Sequence, residues 1–491
     1  MRNLSLTLLI AIVSTFYVNA DNALPDDFDT TVLAEMEKWH APGLGLAVVK
    51  DGKTLLAKGY GIKSIKTNEL VNADTVFQAG STTKAFASMA VAMLIDDGVL
   101  SWDDPIIKHI PEFQMKDKYV QNNLTLRDAF SHNSGVSFLS NVNMFLSKNL
   151  DSAWGMMSAN NQQASFRRVW DYNNTIFALS GRVVERVTGK PFHQFVRERI
   201  FRPLGMNNSL LLDAEVATAK NRAEAHQRIN GQDYQIIYPY IEYSQAAGML
   251  NSTPNDMAKW MTFLTAGGVW EGERLVSEAH VREMMSPQML LKPESIYPAA
   301  ASYTHDYYAY GLAWFVHDYA GEKVAMHTGS INGMSAILGL IPDHNIGVYV
   351  FINSDHIEYR HALMYKVFDL FLGNEGNDWS STLYDVYHPE AQSAPTGGKV
   401  TEHPDVSIDA LKGTYDLKGS YPLIIRDNGG KLVAHLGVTR TDLVRQADNS
   451  YLLVDPENPD LPSNNNLGII VNDEGRVSAL TLSGLTFTRR N

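Results

Sequence analysis

Strand-like segments lie at both ends of a long section that is mostly helical in its hydrophobic period. Near the N-terminus, the apolar runs 44–50 and 54–60 meet at Asp51 and Gly52, a typical hairpin turn because glycine adopts positive φ easily. Further strand-like runs occupy 323–327, 334–341 and 346–353, beyond the helical section. Strands this far apart predict one antiparallel sheet assembled from remote segments. The predicted fold class is therefore α+β, an antiparallel sheet flanked by helices with a helical insertion, and not alternating βαβ.

The composition changes after residue 373, and a chain of 491 residues has room for two or three domains. Residues 390–405 are rich in Pro, Gly, Ser and Thr, which is typical of a linker. Turn clusters then separate short apolar runs at 421–425, 432–436, 451–454 and 467–471. Such spacing predicts a small antiparallel barrel or sandwich of about 90 residues. We predict a main domain over 21–375, a linker over 376–405 and a C-terminal β-barrel-like domain over 406–491.

The N-terminus has the features of an export signal. Arg2 precedes an apolar run over 4–18, and residues 18–20 offer the small side chains that a signal peptidase requires. The run is short for a membrane span, and no later stretch approaches 18 consecutive apolar residues. We predict a signal peptide over 1–20 and an exported protein, in a bacterial periplasm or secreted, without a stable membrane span after its removal. An uncleaved anchor is the alternative.

Charge and cysteine content exclude several classes of protein. The 41 Lys and Arg against 54 Asp and Glu give a net charge of −13, which disfavours nucleic acid because phosphate binding requires a concentrated basic face. The chain has no cysteine, so disulfides, cysteine nucleophiles and iron–sulfur clusters are excluded. The 15 histidines are scattered without a His-Glu-x-x-His motif, so we expect neither a metal nor a cofactor. Nothing here indicates the oligomeric state.

The first chemical motif is Ser81 followed by Lys84, at the start of a helical run rich in Ala, Met and Leu. Residues three apart share one face of a helix, so an amine there can take or relay the proton of a hydroxyl that is otherwise a poor nucleophile. The helix N-terminus also favours anionic species that form beside it. Alone the motif is weak, and a capping serine with a solvated lysine is the simpler interpretation.

Two further motifs stand on predicted loop and strand ends. Tyr172 and Asn174 belong to a polar Trp-Asp-Tyr-Asn-Asn segment before a helix, where a neighbouring ammonium favours loss of the tyrosine proton. The third motif comprises His327, Thr328, Gly329 and Ser330. Gly329 leaves room for a substrate at a strand end, and the next backbone N–H can point into a cleft. Taken singly, a surface aromatic residue and a structural histidine are the simpler interpretations.

Together the three motifs resemble the serine β-lactamase and penicillin-binding-protein superfamily. The middle motif resembles the Tyr-x-Asn of class C β-lactamases, DD-carboxypeptidases and related esterases. Supporting segments at 124–135, 247–256 and 310–314 resemble others of the family in the same order. The resemblance covers roughly 27–372 and implies a β-lactamase/transpeptidase-like fold. The C-terminal part is similar to the β-barrel appended to some D-amino-acid-specific peptidases of the superfamily.

The resemblance implies acyl transfer through an acyl-enzyme on Ser81. Lys84 and Tyr172 would manage the serine proton, and which of them is the base stays open because the two groups titrate as a coupled pair. Asn174 would orient Lys84 and the substrate amide. The backbone N–H groups of Ser81 and Ser330 would bind the oxyanion.

His327 departs from the lysine that penicillin-directed members have at this position. Histidine has a pKa near 6.5 and is mostly neutral at pH 7, so it holds a substrate carboxylate more weakly. We therefore expect a small peptide, amide or ester substrate more than a penicillin. We also expect the preference for carboxylate-bearing substrates to grow as the pH falls from 8 to 6.

Two alternatives stay open. The protein could be a β-lactamase of the class C type, or a catalytically silent receptor for wall peptides or β-lactams. An α/β-hydrolase is excluded because no Gly-x-Ser-x-Gly motif surrounds Ser81.

Overall fold

The computed structural model describes residues 23–136, 139–159, 164–239, 241, 244–292, 296–374, 376–388, 405–446, 449–458, 461–463 and 465–490. The predicted signal peptide and residues 389–404 of the predicted linker lie outside these ranges. Within the ranges, no helix combines the length and the apolar character that crossing a bilayer demands.

The main body contains fourteen strands among the described residues. In chain order they are β1 (Gly43–Lys50), β2 (Lys53–Gly61), β3 (Phe77–Gln78), β4 (His226–Ile229), β5 (Gln232–Gln235), β6 (Asn251–Ser252), β7 (Val269–Trp270), β8 (Glu273–Arg274), β9 (Met289–Leu290), β10 (Tyr308–Tyr310), β11 (Phe315–Tyr319), β12 (Glu322–Ile331), β13 (Met334–Ile341) and β14 (Ile346–Ile352). Eight of them form one antiparallel sheet in the order β2-β1-β14-β13-β12-β11-β10-β9. The N-terminal hairpin thus pairs with β14, Leu44 opposite Ile352, which confirms a sheet built from remote segments.

Helices cover both faces of this sheet. The α-helices are α1 (Phe28–Lys38), α2 (Lys84–Asp96), α3 (Ile106–His109), α4 (Lys118–Asn123), α5 (Leu126–Phe130), α6 (Leu139–Leu146), α7 (Leu150–Ser158), α8 (Asn174–Thr188), α9 (Phe192–Val196), α10 (Arg202–Leu204), α11 (Asp213–Thr218), α12 (Gln245–Gly248), α13 (Pro254–Thr265), α14 (Glu278–Met284), α15 (Tyr359–Leu372), α16 (Trp379–Tyr387) and α17 (Ile408–Leu411). Alternate residues of β14 serve two cores, because successive strand side chains point to opposite faces. Tyr349 and Phe351 join the helical insertion, whereas Val348 and Val350 pack with α1 and α15.

The C-terminal region is a closed barrel of eight antiparallel strands, which confirms the predicted β-barrel. Its strands are β15 (Gly413–Asp416), β16 (Leu423–Asn428), β17 (Lys431–Leu436), β18 (Thr439–Arg445), β19 (Tyr451–Val454), β20 (Asn466–Val471), β21 (Val477–Leu482) and β22 (Leu485–Arg489). A separate apolar core fills it, with Tyr415, Leu423, Leu467 and Phe487 fully buried.

Helix α16 lies at the start of the segment that we predict to be a linker. Trp379 and Leu383 are four residues apart, share one helix face and are buried in the core beside α15. The Trp379 indole N–H donates to Asp369 Oδ2 at 2.7 Å. Residues 379–387 therefore pack as part of the main body, and the domain boundaries themselves stay a prediction.

Candidate active site

Ser81 and Lys84 lie where a short 3₁₀ turn, Gly80–Thr83, continues into α2. In a 3₁₀ turn, residues three apart eclipse each other, so the Lys84 side chain returns over Ser81. The Lys84 Nζ atom lies 3.0 Å from Ser81 Oγ. The predicted sharing of a face is thus realised through a tighter turn than the expected α-helix.

Burial defines the chemistry of the Lys84 amine. Helix α2 is buried from Lys84 to Leu94, and Lys84 itself has no exposed surface. Desolvation lowers the pKa of Lys84 well below 10.5. The Nζ atom donates to Asn174 Oδ1 at 2.7 Å and to the Ala247 carbonyl at 2.8 Å. Two acceptors suit the two N–H bonds of a neutral amine, which leaves its lone pair for the Ser81 hydroxyl.

Tyr172 lies on the other side of the serine oxygen. Its hydroxyl donates to Ser81 Oγ at 2.8 Å. Burial raises the pKa of Tyr172 above its ordinary value of 10.0, although the contact with Ser81 opposes the shift. The phenol is therefore protonated at neutral pH, and a proton chain can run from Tyr172 through Ser81 to Lys84.

The start of helix α8 positions the middle motif. The Asn173 side chain caps α8 by accepting the Ile176 N–H at 2.9 Å, which makes Asn174 the first helical residue, in contact with Lys84. The Asn173 N–H in turn donates to His132 Nδ1 at 3.1 Å. The His132 ring lies 4.3 Å from the Tyr172 ring, and its burial lowers its pKa, so it stays neutral. Sequence reasoning missed His132 as a support of the site; only its place in the family-like segment 124–135 marked it.

Glycines bring strand β12 against the serine turn. A Cβ atom on Gly329 would lie 1.9 Å from the Ala79 carbonyl oxygen, and one on Gly80 would lie 2.8 Å from the Ser330 backbone nitrogen. Only glycine permits this approach, which places the backbone of Ser330 beside that of Ser81. This arrangement suits the two predicted oxyanion donors.

His327 is buried and fully engaged. Its Nδ1 lies 2.6 Å from the Thr328 carbonyl and must donate to it, so Nε2 accepts from the Tyr310 hydroxyl at 2.8 Å. Desolvation by burial is the main cause that lowers the pKa of His327 to about 3. The ring is then neutral throughout the range from pH 8 to 6. The expected growth of carboxylate preference over that range is therefore wrong, because sequence shows neither the burial nor the tyrosine partner.

The motifs open onto a cleft of about 610 Å³. Its lining residues are Ser81, Phe145, Trp170, Tyr172, Asn174, Ile296, Tyr297, Pro298, Phe315, His327, Thr328, Ser330, His356, Glu358, Arg360 and Tyr387. Aromatic and aliphatic side chains make up half of this lining, and we call them the apolar wall of the cleft. The Thr328 hydroxyl bonds to the Tyr297 hydroxyl, which fastens the third motif to this wall.

Arg360, on α15, holds the third motif from behind. It is 2% exposed, and its Nε and Nη2 atoms donate to Glu358 at 3.1 and 2.8 Å. Its Nη1 donates to the Gly329 carbonyl at 2.6 Å and to Ser330 Oγ at 2.9 Å. The guanidinium thus donates all of these hydrogen bonds to the protein itself, and it holds strand β12 in position. The sequence gives no indication of this role, because the helical run around Arg360 does not show which strand lies opposite it.

Comparisons with known proteins identify the family and the fold. A family model described as Beta-lactamase matches residues 28–369. The unguisins hydrolase ungD′ of Aspergillus campestris is 27% identical over 429 residues, covering 82% of this chain and 76% of that protein. Protein flp of Staphylococcus aureus is 24% identical, covering 68% and 65%. Among solved structures, the octameric penicillin-binding protein homologue from Pyrococcus abyssi has a TM-score of 0.63 at 20% identity, covering 94% and 99%. SurE has a TM-score of 0.54 at 21% identity, covering 94% and 98%; at such identities both bear on the fold alone.

Proposed function

The chain belongs to the beta-lactamase family, and on that premise we propose that it is an exported serine hydrolase that forms an acyl-enzyme on Ser81. Its substrates are small peptides, amides or esters. The observation that carries the proposal is the place of Ser81 Oγ, 3.0 Å from Lys84 Nζ and 2.8 Å from the Tyr172 hydroxyl. A nucleophile between a desolvated amine and a protonated phenol has both a base and an acid within reach.

The proposed reaction has two halves. Ser81 Oγ attacks the carbonyl carbon while its proton passes to neutral Lys84, and the oxyanion forms between the N–H groups of Ser81 and Ser330. Collapse of this intermediate breaks the bond to the leaving amine or alcohol, which takes a proton from Tyr172, and Lys84 returns a proton to the phenol. In the second half, water attacks the acyl carbon while Lys84 and Tyr172 take its proton. The bond to Ser81 Oγ then breaks, Ser81 regains a proton, and the acid is released.

Charge within the cleft favours hydrolysis of substrates without a carboxylate over a class C β-lactamase activity. Of the described residues that line the cleft, Arg360 is paired with Glu358, His327 is neutral, and His356 at the rim pairs with Asp355 at 2.7 Å. None of them is a spare cation for a penicillin carboxylate. A silent receptor is disfavoured because the proposed base Lys84 and the proposed acid Tyr172 both contact Ser81.

Two relatives guide the choice of substrates. The hydrolase name of ungD′ supports hydrolysis as the reaction class. A SurE structure was solved with D-Leu, so D-leucyl anilides and esters belong in a substrate panel beside L-aminoacyl anilides, p-nitrophenyl esters and a chromogenic cephalosporin.

A serine-reactive fluorophosphonate should add one label, at Ser81, because only a serine with an adjacent base attacks phosphorus readily. Intact mass and peptide mapping would measure the label and its position. Ser81→Ala, which removes one oxygen atom, should abolish labelling, and so should unfolding the wild type beforehand. A label at any other residue, or an unlabelled native protein, would contradict the proposed nucleophile.

The preference of the enzyme for substrates that end in a carboxylate should not change between pH 8 and pH 6. Because the folded pKa of His327 is about 3, the ring gains its charge only well below this range. The measurement is the ratio of kcat/KM for an ester that ends in a carboxylate to that for its methyl ester, since the titration of Lys84 cancels in the ratio. His356 also lines the cleft, and its hydrogen bond with Asp355 raises its pKa from 6.5, so His356→Gln is the control. A ratio that climbs toward pH 6 in both the wild type and His356→Gln would show that His327 titrates there and that its assigned partners are wrong.

A further inference from the structure

We propose that the C-terminal barrel is a specificity element of the catalytic cleft. The turn between β17 and β18 holds the end of α6, and α6 in turn presents Phe145 to bulky apolar groups of the substrate. This inference rests on the proposed function, because it assigns a substrate class to the same site.

Two hydrogen bonds join the barrel to consecutive residues at the end of α6. The Val438 N–H, in the β17–β18 turn, donates to the Leu146 carbonyl at 2.9 Å. The Tyr421 hydroxyl lies 2.9 Å from Ser147 Oγ. Leu146 and Ser147 are both buried. The barrel therefore satisfies a helix-end carbonyl that would otherwise lack an intrahelical partner.

The barrel turn touches α6 backbone to backbone. Gly437 has a φ of +59°, and a Cβ atom there would lie 2.1 Å from the Leu146 carbonyl oxygen. A contact this close is rigid, because neither backbone can move aside as a flexible side chain can. Any shift of the turn is therefore passed to the end of α6.

Phe145 directly precedes these anchored residues and lines the cleft that contains Ser81. It is 48% exposed, an unusually open position for a phenylalanine. Trp170, Phe315 and Tyr387 line the same cleft. With no spare cation among the described lining residues, an uncharged aromatic or branched aliphatic group is the occupant that this wall suits.

The chain offers a matched pair of glycines for the test. Gly437 and Gly429 are each the first residue of a two-residue turn in adjacent hairpins, with φ of +59° and +67°. A Cβ on Gly429 meets nothing within 4 Å. Gly437→Ala and Gly429→Ala thus carry the same backbone strain, and only the first disturbs α6.

The experiment compares p-nitrophenyl acetate with p-nitrophenyl phenylbutyrate. Gly437→Ala should raise KM for the bulky ester about tenfold, the scale of a lost apolar contact, and leave acetate turnover at the wild-type level. Gly429→Ala should match the wild type on both esters. Phe145→Ala should also raise KM for the bulky ester while the barrel is untouched, which ties the effect to that side chain.

The outcomes separate the two proposals. If the wild type hydrolyses neither ester and takes no phosphonate label, the proposed function fails. If the wild type is active and Gly437→Ala behaves like Gly429→Ala, the specificity role of the barrel is overturned. If Gly437→Ala does not fold, Tyr421→Phe takes its place, because it removes only the hydrogen bond between the barrel and Ser147. An unchanged KM for the bulky ester in both Tyr421→Phe and Phe145→Ala would also overturn the specificity role of the barrel.

Discussion

Replacing Lys84 with methionine should lower kcat by about 10²–10⁴-fold, the range that a positioned proton acceptor contributes. Methionine resembles lysine in length and fills the same buried volume, so the fold should persist while Ser81 loses its base. The measurement is steady-state hydrolysis of p-nitrophenyl acetate beside far-UV circular dichroism. Ser88→Ala is the control on the same helix, because the buried Ser88 hydroxyl has no hydrogen-bond partner among the described residues; its kcat should match the wild type.

The pH profile provides a second readout of the same group. Burial depresses the pKa of Lys84, so the neutral, reactive amine is present above that lowered value and is lost as the pH falls through it. Wild-type kcat/KM should therefore rise with pH and then level off, and Lys84→Met should lack this limb. If Lys84→Met keeps both the wild-type kcat and the rise of kcat/KM with pH, the base is another group, and Tyr172 is the first candidate.

Replacing Arg360 with methionine should reduce the free energy of unfolding by about 3–5 kcal/mol, because it leaves the buried Glu358 carboxylate without its cation. Burial alone would raise the pKa of Glu358, but Arg360 and His361 more than offset this and hold it well below 4.5. The pair therefore stabilises the fold above about pH 4.5. The contribution fades as the pH falls through the depressed value, so wild type and variant should converge in acid. Urea denaturation at several pH values measures both effects.

Two controls accompany this prediction. Arg282→Met breaks an exposed pair with Glu278, in which the side chains are 65% and 51% exposed, and should cost less than about 1 kcal/mol. The double variant Glu358→Gln, Arg360→Met removes the stranded charge and should recover part of the loss. An Arg360→Met protein as stable as the wild type would mean that the buried pair is not formed.

The parts of the fold that sequence predicted well are those with a local signal. The run 334–341 coincides with strand β13 because it is mostly apolar and bounded by turns. The three motifs are recognisable because each contains residue types that a reaction requires, and the structure brings them to one cleft. The repeated turn clusters after residue 405 likewise predicted the barrel.

What sequence could not predict depends on distant partners. The neutrality of His327 follows from its burial and from Tyr310. The role of Arg360 follows from hydrogen bonds that reach strand β12, about 30 residues earlier in the chain. His132 supports Tyr172 through a contact between residues 40 apart. Helix α16 falls within the predicted linker, because the composition of that segment outweighs the four-residue spacing of Trp379 and Leu383 that is typical of a helix face.

The pairing of β1 with β14 also governs the order in which this protein can fold. Leu44 finds its partner, Ile352, about 300 residues later in the chain. At ribosomal rates of about 5–20 residues per second, strand β14 is synthesised about 15–60 s after the β1–β2 hairpin. During that interval the edge of β1, apolar and buried in the finished sheet, is an open template for other strands. Folding is therefore slow and late, and this edge is where a nascent chain without a chaperone would aggregate.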